Sequence, residues 1–277
     1  MIKKRWLLLS VLFVGLLTIS QVLAQDNFQL RINRYLEVRS ASGDVTYQNG
    51  KTSQSARIGV KLKNVGDSIS TGQRSSSRLA LDTGIGFIQV AENTKLEIQK
   101  LQITSNGGHI TNLQVTGGQV RLKVRPFTHK DSSLQIETPA GIAGVRGTEF
   151  GVSVQPTGKT GVATLSGSVA TTAQGQSVYI NKGFQSLVIP GEPPSAPMPL
   201  RNDTSLNLQV LEQTGNQQAR IVGKVDPVNL VIFANQPLTT DRSGKFDITI
   251  PMPANRRIAV TVTTPLGKEQ DYELAVP

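Results

Sequence analysis

The feature that most limits the fold of this chain is a two-residue alternation of apolar and polar side chains, repeated from about residue 36 onward. It is plain in Gln119-Val120-Arg121-Leu122-Lys123-Val124-Arg125, where Val120, Leu122 and Val124 share one face and the charged residues the other. It recurs in Leu134-Gln135-Ile136-Glu137 and in Phe150-Gly151-Val152-Ser153-Val154, with further β-rich runs at 162–165 and 178–180. Successive side chains of a strand point to opposite faces, so such a pattern buries one face of a sheet. Turn residues punctuate the runs at Asn49-Gly50, Asn106-Gly107-Gly108, Gly117-Gly118 and Gly175-Gln176. Short strands between Gly-rich turns predict an all-β sandwich, barrel or solenoid. A helical stripe is absent beyond the N-terminal apolar run, although residues 27–36 are expected to add one short helix or strand at the domain edge.

That N-terminal run reads as a targeting segment. Lys3, Lys4 and Arg5 precede an apolar stretch from Trp6 to about Ile19, and Val22-Leu23-Ala24 puts small residues where a signal peptidase cuts. Cleavage after Ala24 is expected, with a retained membrane anchor as the alternative. The stretch is short for a span of ~20 residues, and Ser10, Gly15, Thr18 and Ser20 weaken it. The chain holds no cysteine, which rules out both a lipidated cysteine and a disulfide. In an oxidising envelope the fold must then rest on core packing and strand pairing.

The length suits two domains. Between them, Ile189 to Pro199 holds a dense run of prolines, which removes ladder donors and favours extended backbone. It reads as a spacer able to hold two domains ~30 Å apart, or less simply as a Pro-x-x-Pro docking segment. The expected division is a signal peptide at 1–24, a β domain at 25–189, a proline-rich linker at 190–204 and a small β-sandwich at 205–277. In the last of these, Ile221 to Phe233, the turn Asp241-Arg242-Ser243-Gly244, and runs near Ile258 to Thr264 and Tyr272 to Val276 make six or seven strands. Charge is uneven: residues 25–200 carry 18 Lys and Arg against 11 Asp and Glu, whereas 201–277 carry 8 of each. Attraction to polyanions therefore belongs to the first domain. For an exported protein, lipopolysaccharide, an anionic glycan or an acidic protein surface is the expected partner, not nucleic acid, and membrane contact is peripheral at most.

Thr138-Pro139-Ala140-Gly141-Ile142-Ala143-Gly144-Val145-Arg146-Gly147-Thr148-Glu149-Phe150 resembles the central signature of FecR-type periplasmic domains. Gly66-Asp67, Thr71-Gly72 and Gly118-Gln119-Val120 precede it in the order the family has, and Leu165-Ser166-Gly167-Ser168-Val169 and Gly183-Phe184-Gln185 follow. The resemblance runs over roughly residues 36–190. It implies a jelly-roll-like β domain of the cell envelope, used in sensing or interaction and not in catalysis. The family's best-known members relay an iron-uptake signal from an outer-membrane receptor, through a membrane helix, to a cytoplasmic segment that controls a sigma factor. Here only Met1 to Arg5 precede the apolar run, so a complete transmembrane relay is not expected. The Thr-Asp-x-x-Gly-x-Phe step at 240–246 is similar to that of bacterial immunoglobulin-like modules.

Within the signature, Thr138, Pro139, Arg146, Gly147, Thr148 and Phe150 are expected to be structural. Arg146 is expected to be a buried guanidinium served by Glu149 or Asp67, so that Arg146→Ala would cost ~2–4 kcal/mol by orphaning a buried partner. Arg121, Lys123 and Arg125 share a strand face, and Arg57, Lys61 and Lys63 are candidates to extend it into a basic stripe for an anionic partner. The plainer alternative is a solvated face whose charges guard an edge strand.

Nothing in the sequence builds a known reactive site. His109 and His129 have no second ligand at metal spacing. No Gly-x-Ser-x-Gly or Ser-x-x-Lys appears, and no thiol exists. Gly50-Lys51-Thr52 and Gly158-Lys159-Thr160 lack the upstream glycine of a phosphate loop, with Val45 and Ser153 in its place. Asp241-Arg242-Ser243-Gly244 lacks the carboxylate ladder of a calcium loop. A carboxylate pair for glycan hydrolysis would be assembled only by the fold. No cofactor is expected. The leading expectation is a non-enzymatic exported binding or scaffold protein. The alternatives are a soluble sensor subunit signalling through a separate membrane protein, and a glycan-processing enzyme.

Overall fold

The computed structural model describes residues 34–215 and 217–277, and every regular element in them is a strand. The expected signal segment at 1–24 and residues 27–33 of the expected edge element lie outside the described residues. The first lobe contains β1 (Leu36–Ser42), β2 (Val45–Asn49), β3 (Thr52–Ser55), β4 (Lys61–Leu62), β5 (Ser68–Thr71), β6 (Ser76–Leu81), β7 (Gly86–Val90), β8 (Lys95–Ile103) and β9 (His109–Val124). It continues with β10 (Ser133–Thr138), β11 (Gly141–Val145), β12 (Glu149–Val154), β13 (Thr160–Ser166), β14 (Ser168–Ala173), β15 (Gln176–Asn181), β16 (Phe184–Val188) and β17 (Met198–Pro199). The second lobe contains β18 (Asn207–Thr214), β19 (Gln218–Lys224), β20 (Leu230–Phe233), β21 (Gln236–Leu238), β22 (Lys245–Pro251), β23 (Arg257–Thr263) and β24 (Glu269–Ala275).

The first lobe is a sandwich of two sheets that share one strand. Sheet I runs β4-β1-β6-β7-β9-β12-β13-β16-β17. Sheet II runs β3-β2-β5-β8-β9-β10-β11-β14-β15. The long β9 crosses from one to the other at Gly117-Gly118. Gly118 sits at φ +86°, and a side chain there would strike the Thr94 backbone. Glycine is therefore what lets the strand bend so close to its neighbour. The alternating residues read from the sequence face inward: Val120, Leu122, Val124, Leu134, Ile136, Phe150, Val152 and Val154 are all at most 5% exposed and belong to one core. The jelly-roll-like expectation meets a two-sheet sandwich in which β9 and β10 pair in parallel.

The second lobe packs a three-stranded sheet, β18-β19-β22, on a four-stranded one, β21-β20-β23-β24. Its separate core includes Ile221, Phe233, Phe246, Val260 and Val262, with Phe233 and Phe246 edge-to-face at 5.2 Å.

The proline-rich segment does not hold the lobes apart. β17 adds to the edge of sheet I beside β16, Ser186 and Leu187 bond to Ser195, and residues 34–277 form one compact unit. An extended Pro-rich backbone keeps few donors of its own. It is held here because first-lobe hydroxyl and amide groups supply the bonds.

Candidate functional site

The outward face of sheet I divides in two. Over β12, β13, β16 and the middle of β9 it carries small or uncharged polar residues: Gly151, Ser153, Gly161, Ala163, Gln185 and Gln119. Three loops of the second lobe sit on this half. A Cβ at Gly161 would lie 2.5 Å from the Val228 carbonyl oxygen, and one at Gly151 would overlap the Pro265 carbonyl. The loops' backbone oxygens are met by side chains of the first lobe. Ser153 Oγ donates to Val228 (2.5 Å), Gln155 Nε2 to Asn229 (2.8 Å) and Gln119 Nε2 to Pro265 (2.7 Å). The amide of Gln155 also accepts from Thr240 N at 3.0 Å. Lys159, only 4% exposed, donates to Thr240 O (2.8 Å), Thr240 Oγ1 (2.6 Å) and Asp241 O (2.6 Å). Burial pulls its pKa down to about 8, with the charge of Asp241 acting the other way. Buried polar groups are tolerated only when bonded, and these are.

Beyond that dock the lobes separate into a groove of about 720 Å³. One wall is the first lobe's Arg74–Ser76 turn with Ala91 and Glu92; the other is Ile232, Ala259 and Thr261, with Glu269, Asp271 and Tyr272 on β24. Gln73 Nε2 bridges its far end to Asn235 O at 3.1 Å. Glu269 is pushed up from the usual carboxylate range, first by desolvation in the groove, then by the neighbouring charges of Glu92 and Asp271. A second hollow of about 440 Å³ shares Ser76, Ala91 and Glu269 with it and leads to Arg78 and Arg121. The groove thus mixes Arg74 with Glu92, Glu269 and Asp271, and the second hollow adds Arg78 and Arg121.

The exposed half of sheet I holds part of the expected basic stripe. In register across the sheet lie Lys61, Glu37, Ala80, Phe87, Lys123 and Glu149. Lys61 lies 3.9 Å from Glu37 and 4.1 Å over the Tyr35 ring, while Arg78 stacks on Phe87 at 4.2 Å. Glu149 accepts from Arg121 at 2.5 Å and lies 3.8 Å from Lys123. The row therefore alternates in sign. Arg57 and Lys63 are exposed on the loops flanking β4, and Arg125 leaves the strand toward a different pocket.

The signature residues fall largely into packing and turns. Phe150 is fully buried in the core. Thr138 Oγ1 closes the β10–β11 turn through Gly141 O and Gly141 N, at 3.0 and 3.2 Å. Pro139 packs where a Cβ on Gly158 would meet it at 2.7 Å, and Thr148 is buried. Gly147, at φ +132°, leaves room for Pro126 against its α-carbon. Arg146 corrects the expectation: it is exposed and donates to His129 O at 3.1 Å. Its supposed partners are taken, Glu149 by Arg121 and Lys123, and Asp67 by the backbone N–H groups of Lys63 (2.8 Å) and Asn64 (3.1 Å). An arginine next to a β-strand whose neighbouring carboxylate has nearer cations is left to the surface.

Sequence reasoning missed the docking set Gly151, Gly161, Gln155 and Lys159. The signal was available, since a glycine inside a strand marks a close backbone approach. Among the described residues no group of three or more His, Asp or Glu side chains could hold a metal.

No curated protein matches the chain. Two crystal structures of a candidate anti-sigma factor from Parabacteroides distasonis ATCC 8503 are similar in shape, each at 16% identity and a TM-score of 0.40. The matched part covers 48% of this chain and 59% of that one. A polysaccharide lyase matches at 9% identity and a TM-score of 0.21, over 91% of this chain and 41% of its own. The family model that describes FecR proteins matches residues 67–170. That span opens at the buried Asp67 carboxylate and takes in the shared strand β9 and the Thr138–Phe150 signature, and over it the chain carries a FecR domain.

Proposed function

We propose that the protein is a non-enzymatic, exported binding protein of the bacterial envelope, in which the FecR domain and a C-terminal immunoglobulin-like module act as one body. The observation that carries this is the groove whose two walls come from different lobes and whose lobes are pinned by buried side-chain bonds. A partner seated there touches both lobes at once. The mixed signs of its lining favour a protein segment bearing both charges over a uniformly anionic glycan. The immunoglobulin-like reading of the second lobe rests on its strand order, with the first, second and fifth strands in one sheet and the others in the second.

Photocrosslinkers placed at Ser76 and at Thr261 in envelope fractions test the reading. The same protein should be trapped from both walls, and the trapping should be lost in the double variant Glu269→Lys, Asp271→Lys. Trapping that survives the double variant, or that comes equally from Tyr179 on the far sheet, would reject the groove. If the trapped protein is an inner-membrane regulator, the role is that of a sensor subunit, which the FecR domain favours. A glycan-processing role draws on the same place, because a carboxyl group whose pKa is raised beside other carboxylates is the kind that general acid catalysis uses. Turnover of a cell-wall polymer, lost in Glu269→Gln, would establish that role instead.

A further inference from the structure

The loop that follows β9, residues 125–132, encloses a pocket of about 280 Å³ away from the interlobe groove, lined by His109, Arg125, Phe127, His129 and Ser132. It is a built pocket, since its wall is fixed at several points. Phe127 N donates to Arg146 O (2.9 Å), Ser132 N to His129 O (3.1 Å) and Arg125 N to Ile85 O (3.0 Å). His109 N donates to Ser132 Oγ at 3.0 Å, and the Arg146 guanidinium caps His129 O. The Arg-Gly of the FecR signature thus shapes this loop, Arg146 by its two bonds and Gly147 by admitting Pro126.

The charges around the pocket do not cancel. Arg34 and Asp82 neutralise each other at 2.8 Å. Asp131 sits beside His129, whose Nδ1 accepts from Asp131 N at 3.2 Å. Against that one carboxylate stand Arg125, Lys130 and Arg146, and Arg125 has no ion-pair or side-chain hydrogen-bond partner among the described residues. His109 faces Asp82 at 3.6 Å, with Arg34 and His129 also near it. Both imidazoles of the chain therefore open on one cavity beside a free guanidinium. We propose that this pocket binds the phosphate group of a phosphorylated ligand, with Arg125 as its permanent cation, His129 as a donor through Nε2–H while Asp131 N holds its Nδ1, and His109 as the donor that takes up a proton as the anion enters. Burial, Arg34 and His129 all hold His109 below its ordinary pKa, so it is largely neutral near pH 7 when the pocket is empty. Binding is then stronger near pH 6 than near pH 8, because at the lower pH the His109 imidazole is protonated at less cost. A phosphate monoester, whose second ionisation falls at about 6, suits that range.

The chain has two histidines, so the test is clean. In the untagged mature chain, each imidazole Cε1–H gives one NMR signal. Titration with inorganic phosphate at pH 6 should move both, saturably, and raise the apparent pKa of His109. Arg125→Ala, at an exposed side chain, should weaken the effect by about tenfold or more. Saturation by phosphorylated lipopolysaccharide but not by inorganic phosphate would also support the site and assign the phosphate to a glycolipid. Signals that do not move with either probe, that move as readily with acetate, or that move unchanged in Arg125→Ala would overturn it. Because the pocket lies outside the groove, the Glu269→Lys, Asp271→Lys variant should leave these signals as they are, which keeps this outcome separate from that of the groove.

Discussion

The two halves of the outward face of sheet I share the strand β9 and the same alternation, yet one is covered and the other is open. Where the second lobe sits, the outward positions are Gly151, Ser153, Gly161 and Ala163, and the long polar side chains nearby are buried and bonded. Where it does not, they are Arg78, Phe87 and Lys123, with Arg121 at the boundary donating to Leu266 O at 3.4 Å. Period two alone says which side chains point outward. The size of those side chains says whether another backbone lies on top of them. Small residues admit a neighbouring chain to within hydrogen-bonding distance, and large charged ones keep it away.

The sharpest way to break this comparison is to make the covered half resemble the open one. Gly151→Val places a branched side chain against the Pro265 carbonyl, and Gly161→Val does the same at Val228. Either should cost on the order of 3 kcal/mol and separate the lobes, since neither side is the tip of a flexible chain that can yield. Calorimetry should then show two transitions in place of one, and protease should cut within 190–204. A single transition at the parent temperature would mean that the contact is not needed for docking.

Lys159→Met tests the same dock through its chemistry. It removes three bonds from an ammonium group to Thr240 and Asp241 and leaves their buried oxygens unmet, at a cost of about 2–3 kcal/mol. The pH dependence has a definite sign. Docked Lys159 releases its proton at about 8, whereas the exposed side chain holds it to its ordinary value of 10.5. Between those two values the unfolded chain binds the extra proton, so the contribution of this residue to stability rises with pH across that window. The melting temperature of the parent relative to Lys159→Met should therefore increase from pH 8 to pH 10. A difference that stays flat or falls would show that the three oxygens hold the ammonium form.

Much of the fold could be read in advance, and the reason is local. Val120, Leu122, Val124, Phe150 and Val152 announce their inward side by alternation alone, and each is buried. Of the dock only the in-strand glycines Gly151 and Gly161 could be read; its polar bonds could not, because Gln155 and Lys159 are distant in sequence from Thr240 and no local pattern tells one which polar residue another element will meet. The proline-rich stretch misled for a related reason. Its composition sets a stiff, extended backbone, but Ser186 and Ser195 decide where that backbone lies. The basic stripe failed to extend for a third reason: Arg121, Lys123 and Lys61 do share a face, but Glu149 and Glu37 come to it from other strands.

That balance of charge on the open half yields a smaller effect. Glu149→Gln should change stability by less than about 1 kcal/mol, because Arg121 and Lys123 are partly exposed and solvent screens the pair. It should nevertheless lengthen salt-dependent retention on heparin, since two cations lose their shared counter-ion. If retention is unchanged, the polyanion affinity of the first lobe resides elsewhere, with Arg57, Lys63 and the pocket around Arg125 as the remaining basic groups.

Arg146→Ala should have the smallest effect of the set, and it separates the two ways a signature residue can matter. A buried guanidinium would cost several kcal/mol to remove. The exposed one found here gives up a single bond to His129 O, worth about 0.5–1.5 kcal/mol. Phe127 N still bonds to the residue-146 carbonyl and Gly147 still admits Pro126, so most of the loop stays in place without the side chain. The melting temperature should thus fall only slightly, while the His129 NMR signal shifts because its carbonyl has lost a charged donor. A large loss of stability would return Arg146 to the scaffold and tie the 125–132 loop to the global fold. A small loss with a displaced His129 makes the loop a locally held element, whose arginine serves the pocket more than the sandwich beneath it.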